Sequence, residues 1–409
     1  MSEWKKLQLF FSLLVLSFNM LQFTNFGLAS NVIYVNPGDS IQKAINNANS
    51  GDIIFIKIGV YREYPIIVNK SLTILGESLT GTIIDGEGEA IVIINILASN
   101  VKISNLTIQR TSSGFFPPVQ VGIQMLNVEN VEISDCTIRY CAKNLRLDST
   151  RFSRILRNNI ENALAGYGIH LDENSKYNEI VHNFIFSNNV GIQVEATATN
   201  NTIYHNNFIN NSIDVSGPSF GANNRWHQNY PSGGNYWEKS VKIDLKSGVQ
   251  QSEEGSDGIC DQSYNLDQYP LMGPIHVFKA GRWADQDYYI SIVSDCKILS
   301  VQFSEENTCL QFVVYSSFQK GFSRAIIPKS LLWIEEDEYW DIYLNMTIVE
   351  ETNIKEDSKY TYFYITYDVG FWTINIYGKH AIPEKITLAL LMLILIITSV
   401  QIGWIRKRV

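Results

Sequence analysis

Short stretches of alternating apolar and polar residues, broken by Asn, Ser and Gly, recur through the middle of the chain. VKISNLTI (from Val101), VEISDCTI (Val131), SRILRNNI (Ser153), NEIVHNFI (Asn178) and NTIYHNNF (Asn201) align on Ile103, Ile133, Ile155, Ile180 and Ile203, at steps of 30, 22, 25 and 23 residues. A second series, Ile123, Leu145, Ile169, Ile192 and Ile213, follows at steps of 22, 24, 23 and 21, and Gly122, Gly168 and Gly191 precede three of its members. Two series sharing one period predict a repeated coil of several strands of three to five residues. No helical stripe fits. Stacked coils of this kind make a parallel β-helix with Ile and Leu ladders inside. The long first step reflects an insertion loop, Thr111–Gln120. Asn158, Asn183 and Asn206 fall at one turn position, with Leu106 and Cys136 before them. Asn tolerates left-handed turns and stacked amides can bond from coil to coil, so these residues read as a structural ladder.

The pattern changes towards the C-terminus. From about Tyr288, seven short β runs separated by turns predict a small antiparallel β-sandwich over 286–379, after a β-helix over 31–275. At the N-terminus, Lys5 and Lys6, an apolar run Leu7–Phe18 and Gly27-Leu28-Ala29-Ser30 have the form of a signal peptide, residues 1–30, with cleavage near Ala29. Residues 386–405 carry no charge and precede Arg406-Lys407-Arg408; twenty residues span about 30 Å, enough for one transmembrane helix with a cytoplasmic tail at 406–409. The body is therefore expected at the cell surface, outside the membrane. Sequons at Asn69, Asn105, Asn200, Asn210 and Asn345 agree with export.

Composition narrows the function classes. The chain has 409 residues and a formal charge of −9, from 32 basic and 41 acidic side chains, which opposes a nucleic-acid partner. Any acidic substrate would need a local basic site or a cation. Five cysteines cannot build a disulfide scaffold. Cys136 starts the turn ladder, so a buried thiol is expected there and not a metal ligand.

Candidate chemistry lies on the outward positions of the second series: Gln124/Leu126, Arg146/Asp148, His170/Asp172, Gln193/Glu195 and Asp214/Ser216. Parallel strands lie about 4.8 Å apart, so Asp148, Asp172 and Glu195 should form a carboxylate column flanked by Arg146, His170 and Gln193. Stacked carboxylates repel unless one is protonated, a base pairs with them or a cation binds. The column can be a solvated face, a sugar-binding groove or a catalytic site. His182 and His205 occupy equal positions in successive coils below Arg157, a pair that could hold copper or zinc, although exposed turn residues are the plainer expectation. Trp226, Tyr230, Tyr236 and Trp237 either close the end of the core or stack on sugar rings.

Ile33–Glu77, IYVNPGDSIQKAINNANSGDIIFIKIGVYREYPIIVNKSLTILGE, resembles the N-terminal cap and first coil of right-handed β-helix proteins of the pectate-lyase type. Within it, Ser40 is a suitable N-cap for an amphipathic helix Ile41–Ala48 that would plug the open core. With GGNYW (Gly233–Trp237) and DGICDQSYNLDQYPLM (Asp257–Met272), the repeats resemble NosD-like, carbohydrate-binding and sugar-hydrolase β-helices of archaeal surface proteins. Gly321–Trp333 is similar to the membrane-proximal domain that follows such β-helices. Ile382-Pro383-Glu384 is similar to a Pro-Glu-Phe sorting signal, with Lys385 in place of the Phe. The resemblance implies a membrane-anchored protein that binds a polysaccharide or surface glycan. It also implies two alternatives: a polysaccharide lyase or glycoside hydrolase using the acidic column, or an accessory protein for copper-enzyme maturation. A loop with Glu253, Glu254, Asp257, Asp261 and Asp267 resembles the acidic loop that closes the last coil in relatives, with two carboxylates of their Asp-x-Asp-Gly-Asp-Gly run shifted or missing, and the resemblance makes Asp257, Asp261 and Asp267 candidate Ca²⁺ ligands.

Overall fold

The computed structural model describes residues 30–112, 120–163, 166–349 and 353–382. The expected signal peptide, most of the insertion loop and the expected membrane span lie outside the described residues. No helix among the described residues is long and apolar enough to cross a membrane.

Residues 32–237 wind into a parallel β-helix with three sheets of eight, eight and seven strands. Each coil contributes one strand to each sheet. The coil that starts at Glu132 is representative: Glu132–Ser134 lies in sheet A, Thr137–Arg139 in sheet B and Lys143–Asp148 in sheet C, before Arg154–Leu156 returns to sheet A. Ile103, Ile133, Ile155, Ile180 and Ile203 are direct partners along sheet A, all without solvent exposure, as their spacing predicts. Ile123, Leu145, Ile169 and Ile192 form the matching ladder in sheet C.

The fifth member of that ladder is Val215 and not Ile213. Ile192 pairs with Val215, and Ile213 is 50% exposed. Equal spacing points to Ile213, but the last strand, Ile213–Ser216, is set two residues later against its neighbour.

Asparagines line all three corners. Between sheets A and B, the Nδ2 groups of Asn158, Asn183 and Asn206 donate to the Oδ1 of Asn183, Asn206 and Asn235 at 2.9–3.0 Å. Between C and A, Asn178 donates to Asn201 and Asn201 to Asn224. Between B and C, Asn188 donates to Asn211. Each Oδ1 also accepts a backbone N–H of the preceding coil, as Asn183 does from Asn158. Corners would otherwise bury unpaired amides, and these side chains satisfy them. Cys136 occupies the ladder position of the earlier coil, where its N–H donates to Asn158 Oδ1. Burial raises its thiol to about 12.

The N-terminal helix runs Ile41–Asn47, with the Ser40 side chain accepting from Lys43 N and with Ile41, Ala44 and Ile45 buried. Glu63, from the first coil, adds acceptors for Ile41 N and Gln42 N. At the other end, Trp237 stacks on Phe208 at 4.1 Å and Trp226 packs beside it. Segment 238–274 then crosses the end of the stack with only short two-residue strands.

Ile275–Trp283 begins the C-terminal domain, earlier than the run at Tyr288 implies. Two five-stranded antiparallel sheets pack around Ile290, Phe312, Phe363 and Ile374. This domain is docked on the β-helix. Ile259, Tyr269 and Leu271 form one buried cluster with Val293, Phe322 and Tyr362. Asn207 of the β-helix bonds both the N–H and the C=O of Ile275 at 2.8 Å. Arg324, 1% exposed, donates to the carbonyls of Pro231 and Ser232 and lies 4.6 Å from the Tyr362 ring.

Candidate functional site

Sheet C brings most of the expected residues together. Its register aligns Gln124, Arg146, His170 and Gln193 in one outward row. Asp148, Asp172 and Glu195 each lie two residues further along the chain, Asp148 at the end of its strand and Asp172 and Glu195 just past the ends of theirs. Lys143 and Tyr167 open the same strands, also aligned. The register skips Gly122, Asn144, Gly168 and Gly191. A Cβ on Gly168 would stand 2.7 Å from the Gly191 carbonyl oxygen, and one on Gly191 2.6 Å from that of Asp214. Backbone approach is the reason these positions are glycine.

The side chains form one bonded strip over three coils. Arg146 Nε donates to Asp172 Oδ2 at 2.7 Å and Nη2 to Asp148 Oδ2 at 3.0 Å. Lys143 Nζ lies 2.7 Å from His170 Nδ1, and His170 Nε2 lies 2.9 Å from Glu195 Oε1. Gln193 Nε2 donates to the same Glu195 oxygen at 3.4 Å. Lys143 also sits 5.2 Å from the Tyr167 ring.

Charge states follow from these contacts. Burial, then the charge of Lys143, pushes His170 below the usual imidazole range, so it is neutral at pH 7. An ammonium can only donate, so Nδ1 accepts from Lys143 and Nε2–H donates to Glu195. Burial and then Arg146 lower the Lys143 amine from its ordinary value. Burial pushes Asp172 up, but the Glu173 N–H, His170 and Arg146 outweigh it, and its carboxyl ends below the ordinary value. Repulsion along the expected carboxylate column is thus relieved by two cations inside it. His170, Asp172 and Glu195 also offer ligand atoms within 4.8 Å of one another. Lys143 and Arg146 already occupy part of that donor set.

Several expected residues do not join. Asp214 is buried, 3.6 Å from Lys239 and 3.5 Å from the Tyr264 hydroxyl, with its carboxyl raised by burial. It stands in the Gly191 row, because Ser216 is the partner of Gln193. Trp226 and Trp237 are 2% and 0% exposed, which removes them as sugar-stacking surfaces and makes them the end plug. Tyr236 lies half-buried against Lys242, and Tyr230 is half-buried in the interface cluster.

The acidic loop does not converge on a Ca²⁺ site. Asp267, pushed to about 7 by burial, accepts from Asn235 N, Trp237 Nε1 and Tyr269 N. Asp261 accepts from Leu245 N and Lys246 N, and Asp257 from Ile259 N. Glu253 and Glu254 are exposed on a two-residue strand. These carboxylates tie down backbone that has no regular partner.

His182 and His205 do stack, but as a hydrogen-bonded pair. His205 Nδ1 lies 3.3 Å from His182 Nε2, and His205 Nε2 lies 3.0 Å from the Ser232 carbonyl oxygen. Nitrogens that bond each other and a carbonyl do not converge on a copper or zinc ion, and among the described residues no third ligand groups with them. His205 is 5% exposed and His182 half-buried, against the expectation of exposed turns. The C-terminal domain covers this corner, a fact that no local pattern carries.

Residues 23–208 match the family described as "Right handed beta helix region", which sets the hand of the coil, and the described residues of this stretch form a right-handed parallel β-helix. No curated protein matches the chain in sequence. Among solved structures, it is similar to a pectin methylesterase mutant in complex with a hexasaccharide (12% identity, 52% of this chain and 94% of that one, TM-score 0.31). It is also similar to pectin methylesterase from Yersinia enterocolitica (18%, 50% and 76%, TM-score 0.28) and to a mutant of a PL6 family alginate lyase (11%, 45% and 36%, TM-score 0.27). Likenesses this low carry no argument about activity.

Proposed function

We propose that this chain binds a polysaccharide along sheet C. The observation that carries the reading is the bonded strip itself. Arg146, Asp148, His170, Asp172, Gln193 and Glu195, from three successive coils, lie half-open or buried on one sheet and are oriented by one another. Such a strip offers fixed donors and acceptors to hydroxyl groups along the coil axis, with little side-chain entropy left to lose. Hydrolysis is less well served. A glycosidase needs one carboxyl kept protonated, whereas Asp172, central here, is held ionised beside Arg146.

A second reading, a polysaccharide lyase, is favoured by one feature. Lys143, an ammonium held at His170, has a proton affinity lowered by burial and then Arg146, so it gives up its proton more readily than an ordinary lysine and, once deprotonated, can take one α to a carboxylate. The apolar run at 386–405 followed by Arg406-Lys407-Arg408 supports a membrane tether with the β-helix on the outer surface. A glycan array with the full-length protein tests both readings. Bound signal without new products supports binding, and unsaturated products support the lyase. No signal from any glycan would defeat the proposal.

A further inference from the structure

The docked C-terminal domain leaves a cleft over sheet A. One cavity, about 560 Å³, is lined by Glu179, His182 and Tyr204 of the β-helix and by Tyr289, Asp357 and Tyr360 of the second domain. A neighbouring cavity, about 620 Å³, is lined by Glu132, Arg154 and Arg157 on one side and shares Tyr289 and Tyr360. Both volumes lie in the usual range of about 300–1,000 Å³ for small-ligand sites. The shared tyrosines place the two cavities side by side along one cleft.

The chemistry of the groove is specific. Its charges are largely spent on one another. Arg154 bonds Glu132 and Glu179 at 3.3 and 2.9 Å, Arg157 holds Asp135 through two bonds of 2.7 and 2.8 Å, and Lys279 pairs with Asp287. Asp357 is spent on the backbone N–H groups of Lys359 and Tyr360, and the Lys359 side chain is a cation on the same rim. What remains is aromatic faces and acceptors. Tyr204 and Tyr362 donate their hydroxyls to Glu179 and Asp357 at 2.7 Å, which turns the rings and fixes the carboxylates. Tyr360 is 37% exposed between the cavities.

The histidine pair adds a directed acceptor. A carbonyl only accepts, so His205 carries its proton on Nε2, towards Ser232. Burial holds His205 down to about 4, and burial, then the charge of His205, pushes His182 well below its ordinary value, so both rings are neutral. His205 Nδ1 therefore accepts from His182 Nε2–H, and His182 Nδ1 keeps a lone pair. A neutral acceptor, paired charges and tyrosine faces suit a ligand with many hydroxyl donors, apolar C–H faces and no net charge.

We propose that the cleft between sheet A and the C-terminal domain is a binding site for an uncharged oligosaccharide, separate from the strip on sheet C. The site stands on its own observations, so sheet C can fail without affecting it. Titration of the full-length protein with cellopentaose, mannopentaose and, as an anionic control, penta-galacturonate tests it. At least one neutral probe should bind more tightly than the control. Ser358→Trp, at an exposed cleft residue, should fill the groove and weaken that binding at least tenfold, and Tyr360→Ala should do the same by removing a face. Asp172→Ala, on sheet C, should leave it within twofold. If Ser358→Trp does not fold, Tyr360→Ala alone decides. Absence of binding by both neutral probes at millimolar concentration would overturn the proposal. So would binding that survives the cleft changes, or binding lost with Asp172→Ala alone.

Discussion

Sheets A and C are built from the same coils, yet their outer faces differ in kind. On sheet C the hydrogen bonds of Lys143, Arg146, His170 and their carboxylates are made within the strip and the turns that adjoin it. On sheet A the outward residues meet a second domain: Arg157 lies 4.3 Å from the Tyr289 ring, and His205 sits under the strand carrying Arg324. A repeat can supply a self-contained polar strip, because each coil repeats the last one's geometry. An enclosed site needs a roof, and the roof comes from far along the chain, as in the Arg324 contacts to Ser232 and Pro231 at separations of 92 and 93 residues.

The comparison can be broken first at its foundation. Asn183→Ala should cost about 4 kcal/mol, since it leaves the buried Asn158 N–H without its acceptor and takes a donor from the Ile155 carbonyl and from Asn206 Oδ1, at about 1–3 kcal/mol for each buried group left unpaired. Denaturant unfolding measures it, and both faces should lose ligand together. Arg324→Met should act on one face only. It removes a buried cation from two carbonyls and from Asp257, costing about 3 kcal/mol, and should loosen the cleft while leaving sheet C intact. Unchanged cleft binding in that variant would show that the roof is held elsewhere.

Asp172→Ala reads the other face. It should reduce polysaccharide binding to sheet C at least tenfold. The thermal midpoint should report a loss of about 1 kcal/mol, because Arg146 and the Glu173 N–H lose an acceptor at a half-open site.

The finest test is the proton on His205. Its value in the folded protein, about 4, lies below the ordinary 6.5 because burial disfavours the charged ring. The unfolded chain then takes up the proton first, so this residue's contribution to stability is complete above pH 6.5 and is lost as pH falls towards 4. Imidazole NMR should place the midpoint near 4. In Arg324→Met protein it should move, upwards if opening the roof rehydrates the ring. A midpoint near 6.5 in the unaltered protein would mean that the corner is open.

Much of this was legible in the residues. The 22–25-residue period set the Ile ladders of sheet A pair for pair, since a parallel coil returns each inward residue to the same place. The alternation put Arg146, His170 and Gln193 on one face. Lys143 and Tyr167 were missed because a skipped Asn or Gly separates them from the alternating part of the strand; their place just before Asn144 and Gly168 was the available signal. Asp214 was misplaced because equal spacing cannot detect a two-residue shift in the final strand.

The sequence by itself therefore determined the coil, its buried ladders and the sidedness of sheet C, all of which depend on residues within about one period of each other. The tertiary structure alone decided the rest. It spent the acidic loop on backbone caps, turned two tryptophans into an end plug and buried His205 under a domain whose contacts lie far along the chain. Burial, charge pairing and cavity shape depend on which surfaces meet, and a local pattern carries no information about that meeting.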